Sequence, residues 1–574
     1  MSVRLPVGTS DFKKVVEAFD FVDKSLFIKE VILDDEGVLI TRPRRFGKTL
    51  NMSMLRYFFD INEHAADLFK NLKIAKEKEL FAKHQGQYAV IYLTFKDIKE
   101  NTYEEAYQKI VEAIQVVYAK FRSVLLHSDK IDDFYKDKIN AILDGEASQS
   151  TIGNSIFFLS KCLYDHYGKK VCILIDEYDT PVQTGYLKKY YPEIAGLFRN
   201  LLSAALKDNP YLFKAVLTGI LRVSKESLFS GLNNIEVYSV LSSKYGDYFG
   251  FTENEVEELL AKTGLQTKLA EIRSWYNGYQ MGHHRIYNPW SIASCLMKEG
   301  VVDRYWLNTS DNALIKHLLL KSTDAFKAQL ELLLLGHTIT YLIDEYIAFQ
   351  ELDTNESAVW SLFLMAGYLT VDSSERTRQG PLCQLRIPNI EIRDLYAGII
   401  EQWLSDGLGL PWYNAFISHL LDGNIVEFEK GLKSILERIV SVHDMSHSPE
   451  SFYQGLLIGM TASLGDQKDY ELKSNRESGY GRYDYMILSH LKNKPTIIFE
   501  FKKVNLPKKK SAKEIKAILE KSATEALAQI DSLGYLAEAK QLGARNILKI
   551  GLAFSGKRFA LVYTQAVEDN DREW

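Results

Sequence analysis

Val38-Leu39-Ile40-Thr41-Arg42-Pro43-Arg44-Arg45-Phe46-Gly47-Lys48-Thr49 decides how the first half of the chain is read. Val38 to Ile40 make a short apolar run after Gly37, which predicts a buried strand. Leu50, Met54 and Phe58 then recur at helical spacing. Gly47-Lys48-Thr49 stands between the two. Strand, tight loop and helix with Gly-Lys-Thr at the junction is the layout of a phosphate-binding loop. Backbone N–H groups at the helix N-terminus face the anion. The lysine reaches the β- and γ-phosphates, and the hydroxyl ligates Mg²⁺. The pattern G-x-x-x-x-G-K-[ST] asks for glycine where this chain has Arg42, and the loop also carries Pro43, Arg44 and Arg45. A chance Gly-Lys-Thr in a solvated basic turn is the plain alternative.

The rest of the chain sets bounds. Its 574 residues exceed one hydrophobic core, and length alone suggests about three or four domains. Apolar residues at 46% and charged residues at 25% are ordinary for a globular protein. A net charge of −5 gives no global basic field, so nucleic acid would need a local patch. Cys162, Cys172, Cys295 and Cys383 lie far apart, with no Cys-x-x-Cys pair, so neither structural zinc nor a disulfide framework is expected. The N-terminus lacks an apolar signal segment and no apolar run approaches 18 residues, so no membrane span and a cytoplasmic location are expected.

Val171-Cys172-Ile173-Leu174-Ile175 is a continuous apolar run, as suits a parallel strand covered on both faces. It ends in Asp176-Glu177. There Asp176 is expected in the Mg²⁺ shell and Glu177 beside the attacking water. Strands also end in acidic turns for no chemical reason, but the Gly-Lys-Thr loop upstream favours the first reading. A third strand, Phe213 to Leu217, ends in Thr218-Gly219, where Thr218 is placed to sense the γ-phosphate. Arg222 follows, either stabilising transition-state charge or serving as a surface salt-bridge residue. Tyr88 to Phe95 reads as a further strand, Tyr103 to Ala119 as a helix, and Ser128 to Gly145 as a polar surface excursion.

Leu5-Pro6-Val7-Gly8, Val22-Asp23-Lys24, the Arg42-to-Thr49 loop, Ile175-Asp176-Glu177-Tyr178-Asp179 and Thr218-Gly219 through Asn233-Asn234 together resemble the prokaryotic AAA-ATPase-like family. Members carry an Arg-Pro-Arg-Arg-Phe-Gly-Lys-[Ser/Thr] loop, so Arg42 is a family trait. The resemblance covers roughly residues 5 to 300. It implies an ATP-binding P-loop fold, with Arg45, Phe46, Gly47, Lys48, Thr49, Asp176 and Thr218 at the nucleotide and Thr49 and Asp176 at its metal.

Residues 236–440 read as a mostly helical lid and connector. Thr252 N-caps a helix from Glu253, and Glu255 completes a capping box. The aromatic turns Trp275 to Tyr279, Tyr287 to Trp290 and Tyr305 to Ser310 read as packing anchors rather than base-stacking platforms.

Residues 441–574 carry the second chemical signature. Glu450 to Leu464 reads as an amphipathic helix and Tyr470 to Lys473 as a strand. Arg482 to Leu488 alternates with Asp484 on one face, and Ile497 to Lys502 is the next strand. Glu500 and Lys502 are two apart and share a face. A hairpin brings Asp484 beside them, and two carboxylates with a lysine suit Mg²⁺- or Mn²⁺-assisted phosphodiester cleavage. Glu477 or Glu450 would add a carboxylate, and Gln529, on an expected helix from Ala523 to Leu536, would complete the site. Charge on an edge hairpin also discourages aggregation, and for Glu-x-Lys alone that reading leads. Glu477 to Asp484 with Glu500-Phe501-Lys502 resembles the PD-(D/E)XK nuclease superfamily, in the branch fused behind AAA-ATPase-like domains. Tyr483 stands where the superfamily's proline is common. Lys502, Lys503, Lys508, Lys509, Lys510 and Lys513 make a local basic patch for phosphates.

The fold expected is α/β. A P-loop NTPase core with a parallel sheet spans 1–235, the helical region 236–440, and a restriction-endonuclease-like domain 441–574. The function expected is ATP binding and hydrolysis coupled to a metal-dependent deoxyribonuclease, in defence or mobile-element biology. ATP, Mg²⁺ (or Mn²⁺ at the second site) and DNA are the partners, with a homo-oligomer left open. The rival reading is a nucleotide-dependent switch whose nuclease-like sheet binds without cleaving.

Overall fold

The computed structural model of the chain describes residues 4–222, 235–306, 313–320, 323–334, 336–405, 410–439, 457, 460–461, 464, 469–478, 481–506, 511–532, 536–555 and 558–567. Asn233, Asn234, Glu450 and Lys508 to Lys510 lie outside them, as do most of the expected helix from Glu450 and the side chain of Glu477. The chain divides into two compact units: residues 1–318 with 340–391, and residues 319–339 with 392–574. The stretch 236–440 is therefore shared between units.

The first unit is built on a five-stranded parallel sheet of β1 (Gly37–Thr41), β2 (Ala89–Thr94), β3 (Val171–Asp176), β4 (Leu212–Gly219) and β5 (Ile235–Tyr238), in the order β2-β3-β4-β1-β5. Every residue of β1 and β3 is buried, because helices cover both faces and the strands need no polar alternation. β4 lies between the strand leading into the Gly-Lys-Thr loop and the strand ending in the acidic pair. The carboxyl ends of β1, β3 and β4 thus face one crevice, where ligands of open α/β sheets bind. Helix Lys48–Phe59 follows β1, started by Gly47 in the left-handed region at φ 87°.

Ser128 to Gly145 is not a bare surface excursion. It contains helix Asp133–Asp144, N-capped by Asp132 and stopped by Gly145. Its Ile139 and Ile142 are buried, and Gln115 Nε2 from helix Tyr103–Lys120 donates to Ile142 O at 3.0 Å. Two apolar residues three apart give one narrow buried stripe under a polar face, which composition hides.

The part of the middle belonging to the first unit is mostly helical but carries small sheets. The Thr252–Glu255 capping box forms on helix Glu253–Thr263 as expected. A hairpin of β6 (Tyr279–Met281) and β7 (His284–Ile286) precedes helix Pro289–Met297. β8 (Ile339–Leu342) joins β9 (Thr370–Thr377) and β10 (Gly380–Arg386) in a three-stranded sheet. This region packs onto the loop. Phe46 meets Tyr279 edge-on at 4.9 Å between centroids, and Trp306 Nε1 donates to Arg44 O at 3.0 Å.

The second unit holds a mixed five-stranded sheet in sequence order: β11 (Tyr470–Ser478), β12 (Gly481–Ser489), β13 (Thr496–Lys503), β14 (Asn546–Ser555) and β15 (Arg558–Val567). Only the β13–β14 pair is parallel, and helix Ala512–Ser532 makes its crossover. That helix begins before the expected Ala523 and ends before Leu536, which starts a separate helix, Leu536–Gln541. Among the described residues no helix is long and apolar enough to cross a membrane, and all four cysteines are buried free thiols.

Candidate functional site

The loop from Arg42 to Thr49 wraps the end of β1. Lys48 is buried, and its Nζ donates to Arg42 O at 3.0 Å and Pro43 O at 2.9 Å, which holds the ammonium inside the loop's concavity. Burial lowers the Lys48 pKa from 10.5, against the raising pull of Glu177, Asp176 and Asp179. Thr49 Oγ1 donates to Asp176 Oδ2 at 2.7 Å, and Thr218 Oγ1 to Asp176 Oδ1 at 2.6 Å. Three residues named from sequence thus meet on one buried carboxylate. Burial, then Glu177, raises the Asp176 pKa above 3.8, while the two hydroxyls and Lys48 pull it down.

Arg42 answers why the loop lacks its first glycine. Its guanidinium is fully buried, and Nη1 donates to Thr41 O, Tyr238 O and Ser239 O at 2.8–2.9 Å. It stitches the end of β1 to the chain leaving β5. Burial pulls its pKa down to about 9, so it stays a cation at neutral pH. Asp179, which the sequence offers only as the end of the acidic motif, is a second structural residue. Its Oδ2 accepts Ile220 N at 2.8 Å and Leu221 N at 2.9 Å, pinning the turn after β4. A Cβ on Gly219 would stand 2.7 Å from Asp179 Oδ1, so only glycine fits there.

A cavity of about 410 Å³ opens over the loop. Arg44, Arg45, Phe46, Gly47, Lys48, Thr49 and Glu177 line one part of it. Leu5, Val22, Phe251, Trp290 and Ala293 make an apolar wall. Lys24 also lines it, its Nζ donating to both Glu255 oxygens at 2.6 Å, so the N-terminal segment is clamped to helix Glu253–Thr263. Trp290 carries the Arg45 guanidinium 4.2 Å above its ring, so this aromatic turn does more than pack. Arg45 and Glu177 both have left-handed backbones, φ 66° and 52°. Such strain in non-glycine residues persists where the surroundings over-determine it. Arg222 is placed elsewhere: its guanidinium sits 4.1 Å over the Tyr346 ring and does not line the cavity.

In the second unit, β12 and β13 pair with Tyr485 opposite Phe499. Just beyond, Asp484 Oδ2 accepts Phe501 N at 2.8 Å. Asp484 is therefore fastened between Glu500 and Lys502. Glu500 is buried, and Lys502 Nζ stands 3.5 Å from its Oε1. The three residues predicted from sequence are brought together. On the opposite face Tyr485, Phe499, Phe501, Phe554 and Phe559 stack in a row, which stiffens the strands carrying them. Gln529 is half-buried on helix Ala512–Ser532. Among the described residues no group of three or more His, Cys, Asp or Glu converges. Two carboxylates beside a lysine fit a hard divalent cation that draws its other ligands from phosphate and water.

Two family models match the chain. Residues 6–229 match the family described as "Predicted AAA-ATPase", and residues 448–563 match the PD-(D/E)XK nuclease superfamily. A relative in Azotobacter chroococcum mcd 1, an "Uncharacterized protein in vnfD 5'region", is 27% identical over 563 residues, covering 96% of each chain. The matched domains support a nucleotide-binding, nuclease-like protein.

Proposed function

We propose that the chain binds ATP with magnesium in the first unit and hydrolyses it, and that its second unit cleaves DNA phosphodiester bonds with a divalent metal. The observation that carries the first half is the Thr49–Asp176–Thr218 junction directly behind a cavity lined by Lys48 and Glu177. Backbone N–H groups at the start of helix Lys48–Phe59 and the Lys48 ammonium bind the phosphates. Thr49 and Asp176 would hold Mg²⁺, which spreads the phosphate charge. Glu177 orients the attacking water and accepts its proton. Arg45 and Phe46 support the nucleotide from the loop, with the base against the apolar wall beside Trp290.

In the second unit Asp484 and Glu500 would hold Mg²⁺ or Mn²⁺, which supplies charge stabilisation and a more acidic water. Lys502 orients that water and stabilises the developing negative charge. Lys503 and Lys513 contact the DNA backbone. One experiment tests both halves: purified protein with plasmid and single-stranded DNA, with and without Mg²⁺, Mn²⁺ and ATP, read for nicking and phosphate release. Phosphate release and metal-dependent nicking support the reading. ATP binding with neither product would establish the switch instead.

A further inference from the structure

Arg44 and Arg45 are consecutive, yet their side chains part. Arg45 turns to Trp290, on helix Pro289–Met297. Arg44 turns the other way, its Nη2 donating to Gln183 Oε1 at 3.1 Å. Gln183 lies on helix Thr180–Lys188, which follows directly from Glu177-Tyr178-Asp179. Arg44 thus reaches toward the helix that follows the acidic pair, while Arg45, over Trp290, still feels the charge of Glu177. Its backbone is fixed as well, because Arg44 O accepts Trp306 Nε1 at 3.0 Å. Arg44, Lys48, Thr49 and Glu177 line one cavity, and Arg222 does not.

We propose that Arg44 is the arginine that stabilises charge on the terminal phosphate during ATP hydrolysis, supplied by the same chain that binds the nucleotide. This rests on the ATPase reading above. In the step itself, the water oxygen bonds to the γ-phosphorus while the bond from phosphorus to the β,γ-bridging oxygen breaks. The electron pair leaves on ADP, and the water proton passes to Glu177. Charge grows on the bridging and γ-oxygens, and a planar guanidinium with several N–H donors matches them. Gln183 holds Arg44 through a neutral amide. A phosphate oxygen offers the guanidinium a charge-assisted bond about twice as strong as that amide does. A cation built into the loop makes each chain competent alone, without an arginine from a neighbouring subunit.

The test uses the full chain: ATP affinity, kcat and its dependence on protein concentration, for wild type, Arg44→Ala and Arg44→Lys. An arginine in this role is worth ~10³–10⁵ in rate. Arg44→Ala is expected to lose about 10³-fold in kcat while ATP affinity changes by less than roughly tenfold. Arg44→Lys is expected to recover part of the rate, since it keeps charge but not the fork. Wild-type kcat per chain is expected to hold on dilution. Wild-type kcat in Arg44→Ala, or turnover per chain that collapses on dilution, overturns the proposal. Should Arg44→Ala not fold, Arg44→Lys carries the test, and unchanged kcat there overturns it. A wild type that binds ATP but releases no phosphate defeats the ATPase reading itself; an active wild type with an indifferent Arg44 defeats only this role.

Discussion

Thr49 and Asp176 are joined by a 2.7 Å hydrogen bond, so the first turn of the helix after the loop and the last residue of β3 move as one piece. The junction comes at a cost in stability. Burial raises the Asp176 pKa in the folded chain above 3.8, so the folded state holds its proton to higher pH than the unfolded state does. Stability from this group is therefore lost as pH rises from the unfolded value through the folded one. At neutral pH Asp176→Asn is expected to leave the melting temperature of the nucleotide-free protein equal or higher. The same variant should lose the gain on adding ATP and Mg²⁺, about 2.7 kcal/mol at a hundredfold excess over Kd. Thermal melts with and without ligand check this; a lower melting temperature with a full ligand shift would contradict it.

On the proposed reading, Glu177 is expected to separate chemistry from binding. Glu177→Gln keeps size and polarity but cannot accept a proton, so it should bind ATP as wild type does and lose ~10²–10⁴ in kcat. Because φ is 52° at this position, Glu177→Gly should lose the same activity yet relieve roughly 1 kcal/mol or more of backbone strain. Phosphate release together with denaturant unfolding distinguishes the two variants.

Lys48 should make nucleotide affinity fall on the alkaline side. Its pKa is lowered from 10.5 mainly by burial, so it loses its charge at a lower pH than a free lysine. Calorimetric ATP titrations from neutral to alkaline pH are expected to weaken through that lowered value. Lys48→Ala should weaken binding by about 10²-fold at neutral pH, the worth of one or two charged hydrogen bonds, and should flatten this limb. Equal affinity in wild type and variant would remove the loop as the phosphate site.

At the proposed nuclease site, Asp484→Ala and Glu500→Ala are expected to lose both metal binding and plasmid nicking. Lys502→Ala should lose nicking while keeping much of the metal affinity. All three should keep ATP hydrolysis. Asp484→Asn is a further discriminator: its amide oxygen can still accept Phe501 N, so the strand junction survives without the charge. Metal titration and nicking on the variants check the set. Cleavage that survives loss of either carboxylate would reduce them to a charged hairpin.

Gly551 pairs with Glu500 across β13 and β14, and a Cβ there would lie 2.2 Å from Ala523 O and 2.6 Å from Leu527 N. Helix Ala512–Ser532 therefore rests directly on the strand backbone. Gly551→Ala must push that helix away and should cost about 1–3 kcal/mol. Chemical denaturation measures it. A variant as stable as wild type would mean that the helix has room to shift.

Much of this was legible in the sequence. β1 and β3 show as continuous apolar runs because both their faces are covered, β4 as an apolar run broken by Lys214, and the acidic pair and the Gly-Lys-Thr turn mark where two of them end. Glu500 and Lys502 share a face by strand periodicity alone. Other features are long-range and leave no local trace. The order of strands in the sheet is invisible, since parallel neighbours such as Leu39 and Leu217 are equally apolar. Arg42 reads as a defect in a pattern until the carbonyls of Tyr238 and Ser239 are seen around it. Arg222 is near Thr218 in sequence, but the turn pinned by Asp179 sends it to Tyr346 instead.

The division of the chain into units, each assembled from separated segments, bears on how the protein is made. A ribosome finishes the first unit only at residue 391, having already delivered residues 319–339, which belong to the second. That earlier segment must then wait for the rest of its unit, which resumes at residue 392, an interval of several seconds at roughly 5–20 residues per second. A gene cut at codon 235 would encode the loop and the acidic pair without Tyr279, Trp290 or Trp306, leaving apolar surface bare around the loop. Vectorial synthesis therefore delivers the whole lining of the first cavity, which ends at Ala293, before most of the second unit has been made.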